Sequence, residues 1–385
     1  MRLFWFTILW ALSILSIEAQ EDKPKNWTLS GYIKDLVTVN FADDSTLIDN
    51  LIHNRLNFDW YPNEQWHFQL EVRNRLFYGD LVKAIPNYGE FVDRNNDYFD
   101  LSFYGPKNKS WLFHTMIDRA YVEWYNEKWE VRAGRQRINW GVNLVWNPND
   151  IFNSYSFFDF DYEERPGSDA LRIRKYLGFA SSIEFAVTAN NDFDEMVIAG
   201  MYKFNKKGYD FQVFTGKARQ DLTAGVGWAG NLGDAGFKGE VSYFKPYTDK
   251  DEFSNALLAS ISVDYSFESS LYLHGSYLYN SDGSDTLVTA IPIFDITQRL
   301  TARNLSPLTH SILVQTSYNF HPLVTGGLAT IYYPSTQAIF INPTATYSIK
   351  PNLDLDVIGQ FFFDDYTGKF KAQAKLLYAR LKWSF

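Results

Sequence analysis

The sequence predicts an all-β fold, a transmembrane antiparallel up-and-down β-barrel of roughly eighteen strands, an even number that such barrels allow. Three observations carry that expectation. Apolar and polar residues alternate with period two through most of the 385 residues. The connections between alternating stretches sort by parity into short and long. No stretch beyond the N-terminus reaches the roughly 18 apolar residues that a spanning helix needs, although 18% of the chain is Phe, Trp or Tyr.

Residues 1–19 read as a signal peptide. Arg2 is a short basic region, an apolar run extends from Leu3 to about Ile17, and Ala19-Gln20 offers a small residue at the cleavage point. Residues 20–385 are then the barrel, with its first strand starting near Trp27. The short interval before Trp27 leaves no room for a substantial plug domain.

The alternation is clearest at Ile52–Trp60, where Ile52, Leu56, Phe58 and Trp60 share one face and His53, Arg55, Asn57 and Asp59 the other. After a turn at Tyr61–Glu64, Trp66, Phe68, Leu70 and Val72 alternate with His67, Gln69, Glu71 and Arg73. Successive strand side chains point to opposite faces, so such strands divide two solvents. Short turns are expected at Tyr61–Glu64, Asn126–Lys128, Asn205–Gly208, Asn231–Asp234, Glu268–Ser270, His321-Pro322 and Lys350–Asn352. Longer connections are expected at Asn40–Asn50, Tyr78–Ser110, Asn139–Ser168, Lys245–Ser254 and Ser281–Pro307. A soluble sandwich has no reason to sort its loops this way, whereas outer-membrane barrels do. Trp60, Trp66, Trp124, Trp129, Phe204, Tyr209, Trp228, Phe267, Phe320, Tyr347 and Trp383 crowd the short-turn end, as an interfacial girdle would.

Leu377, Ala379, Leu381, Trp383 and Phe385 alternate with Tyr378, Arg380, Lys382 and Ser384 up to the last residue. This terminal strand, with Trp383 and Phe385, resembles the signal read by the bacterial outer-membrane assembly machinery. The least regular strand is Ala170–Leu177; without a complete set of strands a barrel of about sixteen remains open. The first and last strands must pair, because an open edge in lipid strands its backbone polar groups. At this size side chains no longer fill the interior.

The stretch GRQRINWGVNLVWNPNDIFNSYSFFDFDYEERPGSDALRIRKY, from Gly134 to Tyr176, departs from alternation for roughly thirty residues, a length usually functional or disordered. Its aromatic content argues against disorder. It is expected to fold into the lumen as a constriction loop over 139–168. The pattern Gly134-Arg135-Gln136, then Trp140-Gly141, followed by a polar loop and Asp169-Ala170-Leu171-Arg172, resembles bacterial outer-membrane porin-like barrels, including the alginate-export type. That resemblance implies an eighteen-strand barrel with a constriction loop, in the bacterial outer membrane.

Arg55, Arg73, Arg75, Arg119, Arg132, Arg172 and Arg174 fall on the expected inward face of five of the first six strands. Asp150, Asp159, Asp161, Glu163 and Glu164 lie in the loop. A basic wall opposite an acidic loop would set a transverse field in the pore, and rings of charge are how pores select. The alternative reading of the same residues is structural ion pairing.

Cysteine is absent, which excludes disulfides and thiolate chemistry, and a net charge of −9 argues against nucleic acid as a partner. The six histidines, His53, His67, His114, His274, His310 and His321, show no paired metal spacing. No metal, cofactor or catalytic site is expected. The expected function is passage of small hydrophilic solutes, with export or uptake of an anionic polymer or oligosaccharide as the alternative and a membrane-embedded hydrolase as a weaker one. The expected partners are outer-membrane lipid and lipopolysaccharide, the assembly machinery and the solute.

Overall fold

The computed structural model describes residues 26–42, 45–93, 97–106, 110–247, 254–286, 300–365 and 368–385; the expected signal peptide, residues 1–19, lies outside them. Among the described residues no helix is long and apolar enough to cross a membrane. Nearly all regular structure is strand.

The strands are β1 (Trp27–Ala42), β2 (Ser45–Asn63), β3 (Trp66–Gly79), β4 (Ser102–Gly105), β5 (Trp111–Tyr125), β6 (Trp129–Gln136) and β7 (Ser168–Gly178). There follow β8 (Ser181–Thr188), β9 (Val197–Lys206), β10 (Tyr209–Ala218), β11 (Asp221–Leu232), β12 (Ala235–Pro246) and β13 (Ala256–Ser266). The last are β14 (Tyr272–Asn280), β15 (His310–His321), β16 (Val324–Tyr333), β17 (Ala338–Lys350), β18 (Leu353–Asp364) and β19 (Lys371–Ser384). Two single-turn helices, α1 (Asp80–Ala84) and α2 (Tyr88–Val92), sit between β3 and β4.

All pairings between these strands are antiparallel, and each long strand pairs with its neighbours in sequence. β1 closes the sheet on β19, from Tyr32↔Ser384 to Asn40↔Leu376. At the seam Gly31 and Phe385 exchange two backbone hydrogen bonds of 2.9 Å. A side chain at Gly31 would overlap the Arg55 carbonyl. β4 pairs only with β5, along Phe113–Met116, on the edge whose other end is taken by β6. The nineteen-stranded sheet is therefore a closed barrel of 18 strands plus one wall patch. The expected strand over Ala170–Leu177 is β7.

Alternation has the predicted sense. On β1 Leu29, Ile33 and Val37 are exposed outward while Tyr32, Lys34 and Leu36 are buried inward. Aromatic rings on neighbouring strands contact one another near the short turns, as Trp60 does Phe68 and Phe204 does Phe211.

Two details differ from expectation. The connection expected at Asn40–Asn50 is strand: β1 and β2 pair up to Ala42↔Ser45. The polar run around Asp49 and Asn50 looks like loop, but two long strands bonded edge to edge tolerate polar side chains near their tips. At the same end β10 and β11 are joined by Arg219-Gln220 alone, with Ala218 paired to Asp221. Length sorting thus holds on average rather than at every connection.

Candidate functional site

The chain leaves the wall at the end of β6 and returns at β7. Three residues set the exit. Gly134 has φ of 117°, where a Cβ would strike the Ala120 carbonyl, so the backbone turn there favours glycine. The Arg135 guanidinium grips Asp169 at the start of β7 through two bonds of 3.0 Å and also donates to the Phe99 and Ile117 carbonyls. Gln136 Nε2 donates to the carbonyls of Arg132, at 3.1 Å, and Ala170, at 2.9 Å. A Cβ on Gly141 would overlap the Asn147 side chain.

Residues 137–167 contain no strand and run through the barrel interior, as their partners on strands all around the wall require. The first half is apolar. Ile138, Trp140, Ile151 and Phe152 pack with inward Ala186, Val197, Met201, Phe214 and Phe244, while Val145 and Trp146 pack with Leu278, Leu313, Ile331 and Phe340. Trp140 is 1% exposed, and its Nε1 donates to Glu184 Oε1 at 2.6 Å. Polar pins complete this half. The buried Glu240 carboxylate of β12 accepts from the backbone N–H groups of Val142, Asn143 and Asn149 at 2.5–2.9 Å. Gln212 donates to the Trp140 carbonyl, and Asn143 bridges Ser260 and Ser262. Asp150 is enclosed; burial raises its carboxyl to about 6 despite the nearby Arg137.

The second half packs Phe157 and Phe158 on Phe340 and Phe160 on Tyr378, but its distinctive contacts are ionic. Asp161 receives Lys34 Nζ at 2.8 Å and His53 Nδ1 at 2.9 Å. Burial opposes ionisation of Asp161, yet His53 and Lys34 hold its carboxyl far below the usual carboxylate range. Arg73 donates to His53 Nε2 at 3.1 Å and lies 3.9 Å over the Tyr162 ring. The Tyr162 hydroxyl donates to Asp118; burial and that carboxylate push the phenol up. Glu163 pairs with Lys382 at 2.7 Å and with Arg380 at 3.2 Å. Burial again opposes ionisation, but Lys382 and Lys34 lower the Glu163 carboxyl. Glu164 accepts from Tyr32, and Asp159 folds back onto the backbone N–H groups of Asp161 and Tyr162.

The seven arginines sit on the inner wall, largely among carboxylates. Arg55 binds Asp118 at 2.6 Å and also Glu71. Arg119 donates to the carbonyls of Glu164 and Arg165. Arg75 contacts His114, which reaches Asp93. Arg132 pairs with Glu123, Arg172 with Glu130, and Arg174 with Glu184 and Glu130. The arginines and the acidic loop therefore meet partly through intermediaries: of the five loop carboxylates, Asp161 and Glu163 are held by Lys34, His53, Lys382 and Arg380, none of which the sequence assigned to the site, although His53, Arg380 and Lys382 were read on the polar faces of their strands. Arg380 and Lys382 were readable from the alternation of β19. Lys34 stands between Tyr32 and Leu36 on its face of β1, which is the signal it carried, whereas Glu240 lies between Lys238 and Ser242 and had no such mark. Among the described residues no group of three or more acidic, His or Cys side chains is disposed to hold a metal ion.

Trp383 and Phe385 lie at the seam, their rings 5.2 Å apart, with Trp383 on the outward face opposite Ile33.

No family model matches the chain. No curated protein sequence matches it either. Solved structures do. Acinetobacter baumannii OccAB4 aligns at a TM-score of 0.59 with 8% identity over 95% of this chain and 100% of that one. Pseudomonas aeruginosa OccK11 aligns at 0.58 with 10% identity over 93% and 96%. The outer membrane protein OprD of Pseudomonas aeruginosa aligns at 0.58 with 7% identity over 94% of each chain. At such identities the likeness is one of fold, and the fold shared along nearly the full length of each is this closed barrel.

Proposed function

We propose that the protein is a bacterial outer-membrane channel for small hydrophilic solutes, in which residues 139–168 form the constriction. One observation carries the reading: an ordered segment inside an eighteen-strand barrel, anchored on both sides of the wall. A barrel of this size encloses more space than its own wall side chains fill, so the cross-section left beside the segment controls permeation. The exposed apolar exterior and the fold it shares with outer membrane protein OprD support the location. Trp383 and Phe385, at the end of the closing strand, serve as the assembly signal in this reading.

The test is single-channel recording in planar bilayers. Shortening 139–168 raises conductance, because the narrowest section dominates a pore's resistance. Replacing Arg73, Arg75, Arg132 and Arg172 together by Gln moves the reversal potential toward cations, and replacing Asp159, Asp161 and Glu163 by Ala moves it toward anions. Unchanged conductance in the shortened variant overturns the constriction.

The finer reading, a channel for an anionic polymer of the alginate-export type, rests on the Gly134–Gly141 pattern and on Arg132 and Arg174, inward arginines whose side chains keep 19% and 26% exposure. Current blockade by an acidic oligosaccharide, absent with its neutral counterpart, is the outcome that supports it.

A further inference from the structure

The outer surface of the barrel is not uniformly apolar. On β1, β2, β3 and β5 the outward positions include Asp35, Asn50, Asn54, Asn74 and Thr115, as the register Ile33↔Asn54, Asn54↔Asn74 and Asn74↔Thr115 places them. They form two short chains of hydrogen bonds. Thr115 donates to Asn74 Oδ1 at 2.7 Å, Asn74 to Asn54 Oδ1 at 3.1 Å, and Asn54 to the Tyr32 carbonyl at 3.1 Å. Asn50 donates to Asp35 Oδ1 at 2.6 Å.

Depth makes this unusual. Asn54 lies midway between Ile48 and Trp60 on β2, and Asn74 lies between the Trp66↔Trp124 and Tyr78↔Trp111 pairs of the two aromatic levels. Asp35 lies midway between exposed Leu29 and Phe41. These positions fall in the band where lipid chains would otherwise touch the wall, and charge or unsatisfied polarity there is costly. Each amide satisfies only part of its capacity, since an Asn side chain carries two N–H groups and a two-lone-pair oxygen. Hydrocarbon offers nothing to complete them. Elsewhere the corresponding positions are mostly apolar, as at Val213, Val226 and Ile261, with single threonines such as Thr215 and Thr330.

Shape singles out the same face. Directly toward the short-turn end, Ala120 and Ala133 leave an open groove between Phe58, Phe68, Leu70 and Val122.

We propose that this face docks a second copy of the chain side by side in the membrane. The geometry favours that occupant. Copies inserted in the same direction present these groups at the same depth, and a two-fold axis along the membrane normal between β2 and β3 brings like surface to like. Asn54 of one copy then faces Asn74 of the other. Each of these amides carries both a donor and an acceptor, so the pair can be joined by hydrogen bonds across the axis. The flanking Phe58 and Leu70 supply apolar bulk opposite the groove. The proposal rests on the barrel standing in a bilayer, and not on the constriction.

The chain has no cysteine, so introduced thiols report alone. Co-expressed Asn54→Cys and Asn74→Cys copies are to be compared with Val226→Cys by oxidative cross-linking in intact outer membranes, alongside light scattering of the unaltered protein in mild detergent. The expected result is a dimer mass and cross-linking several-fold stronger for the 54/74 pair. The paired variant Asn54→Leu, Asn74→Leu is expected to be monomeric while keeping heat-modifiable migration, which shows its barrel intact. A monomer under all conditions, cross-linking of the 54/74 pair no stronger than at position 226, or a leucine variant that still dimerises overturns the proposal. If the protein fails to insert in bilayers at all, the membrane reading itself falls.

Discussion

Residues 137–153 and residues 157–165 enter the same lumen, and different physics holds each. The first is packed into an apolar half of the wall, with Trp140, Ile151 and Phe152 among alanines, Met201 and phenylalanines. The second adds to the packing of Phe157 and Phe158 on Phe340 a clamp of charge, with Asp161 on Lys34 and His53, and Glu163 on Lys382 and Arg380. The difference teaches that a water-facing barrel can carry a small hydrophobic core against one side and an ion-pair lattice against the other. The two ends of one segment should then fail under different perturbations.

Trp140→Ala tests the packed end with the largest expected effect. It removes a fully buried ring and orphans a bond to Glu184, and such truncations cost about 3–5 kcal/mol. Thermal unfolding should occur earlier, and open-channel current should rise and become noisier. Asp161→Asn tests the clamped end. Lys34 is 0% exposed, and breaking one partner of a buried pair costs on the order of 3 kcal/mol. Adding Lys34→Met should recover much of the loss, since an apolar residue of similar length needs no counter-charge. If the double variant is as unstable as the single one, the pair is not the clamp.

Glu240→Gln is a smaller perturbation at the packed end. The amide keeps one acceptor oxygen but loses the other, which leaves a buried N–H of Val142, Asn143 or Asn149 unpaired at about 1–3 kcal/mol. Hydrogen exchange should quicken at residues 142–149 and stay unchanged at 157–165.

The mildest test is pH. Burial holds the Asp150 carboxyl at about 6, above its unfolded value near 4. The native state therefore binds more protons between those values, and stability rises as pH falls through that window. Asp161 has the opposite sign: its contribution is present above about pH 4 and is lost only in stronger acid, because its folded carboxyl is held down. Between pH 7.5 and 5.5, exchange corrected for intrinsic rate should slow around Asp150 and remain constant around Asp161. Equal changes at both ends would erase the distinction.

Much of the barrel was legible because period-two alternation is local and repeated. Trp27 as the first strand residue, the closing strand through Ser384 and the weak strand at β7 all follow from it. The interior was legible only in part. That 137–153 would be anchored by Glu240 depends on contacts spanning 91–98 residues, and Asp161 meets Lys34 across 127. No local pattern encodes such meetings. Inward-facing arginines were readable by parity, whereas their carboxylate partners, such as Asp118 at the bulge between Glu71 and Val72, depend on register.

The smallest strand bears on where the chain turns inward. β4 joins the edge of β5 at four residue pairs, Ser102↔Met116 to Gly105↔Phe113. That is the edge along which β6 would otherwise keep climbing. With Ala120↔Arg135 as its last partner on β5, β6 meets an end-stop, and the chain beyond Gln136 finds no vacant hydrogen-bonding edge there. A four-residue strand outside the lumen thereby fixes the height at which the polypeptide turns inward. Lengthening or deleting β4 would act on the interior as a sliding stop acts on a shutter, shifting the inward-running segment along the barrel axis without touching any of its own residues.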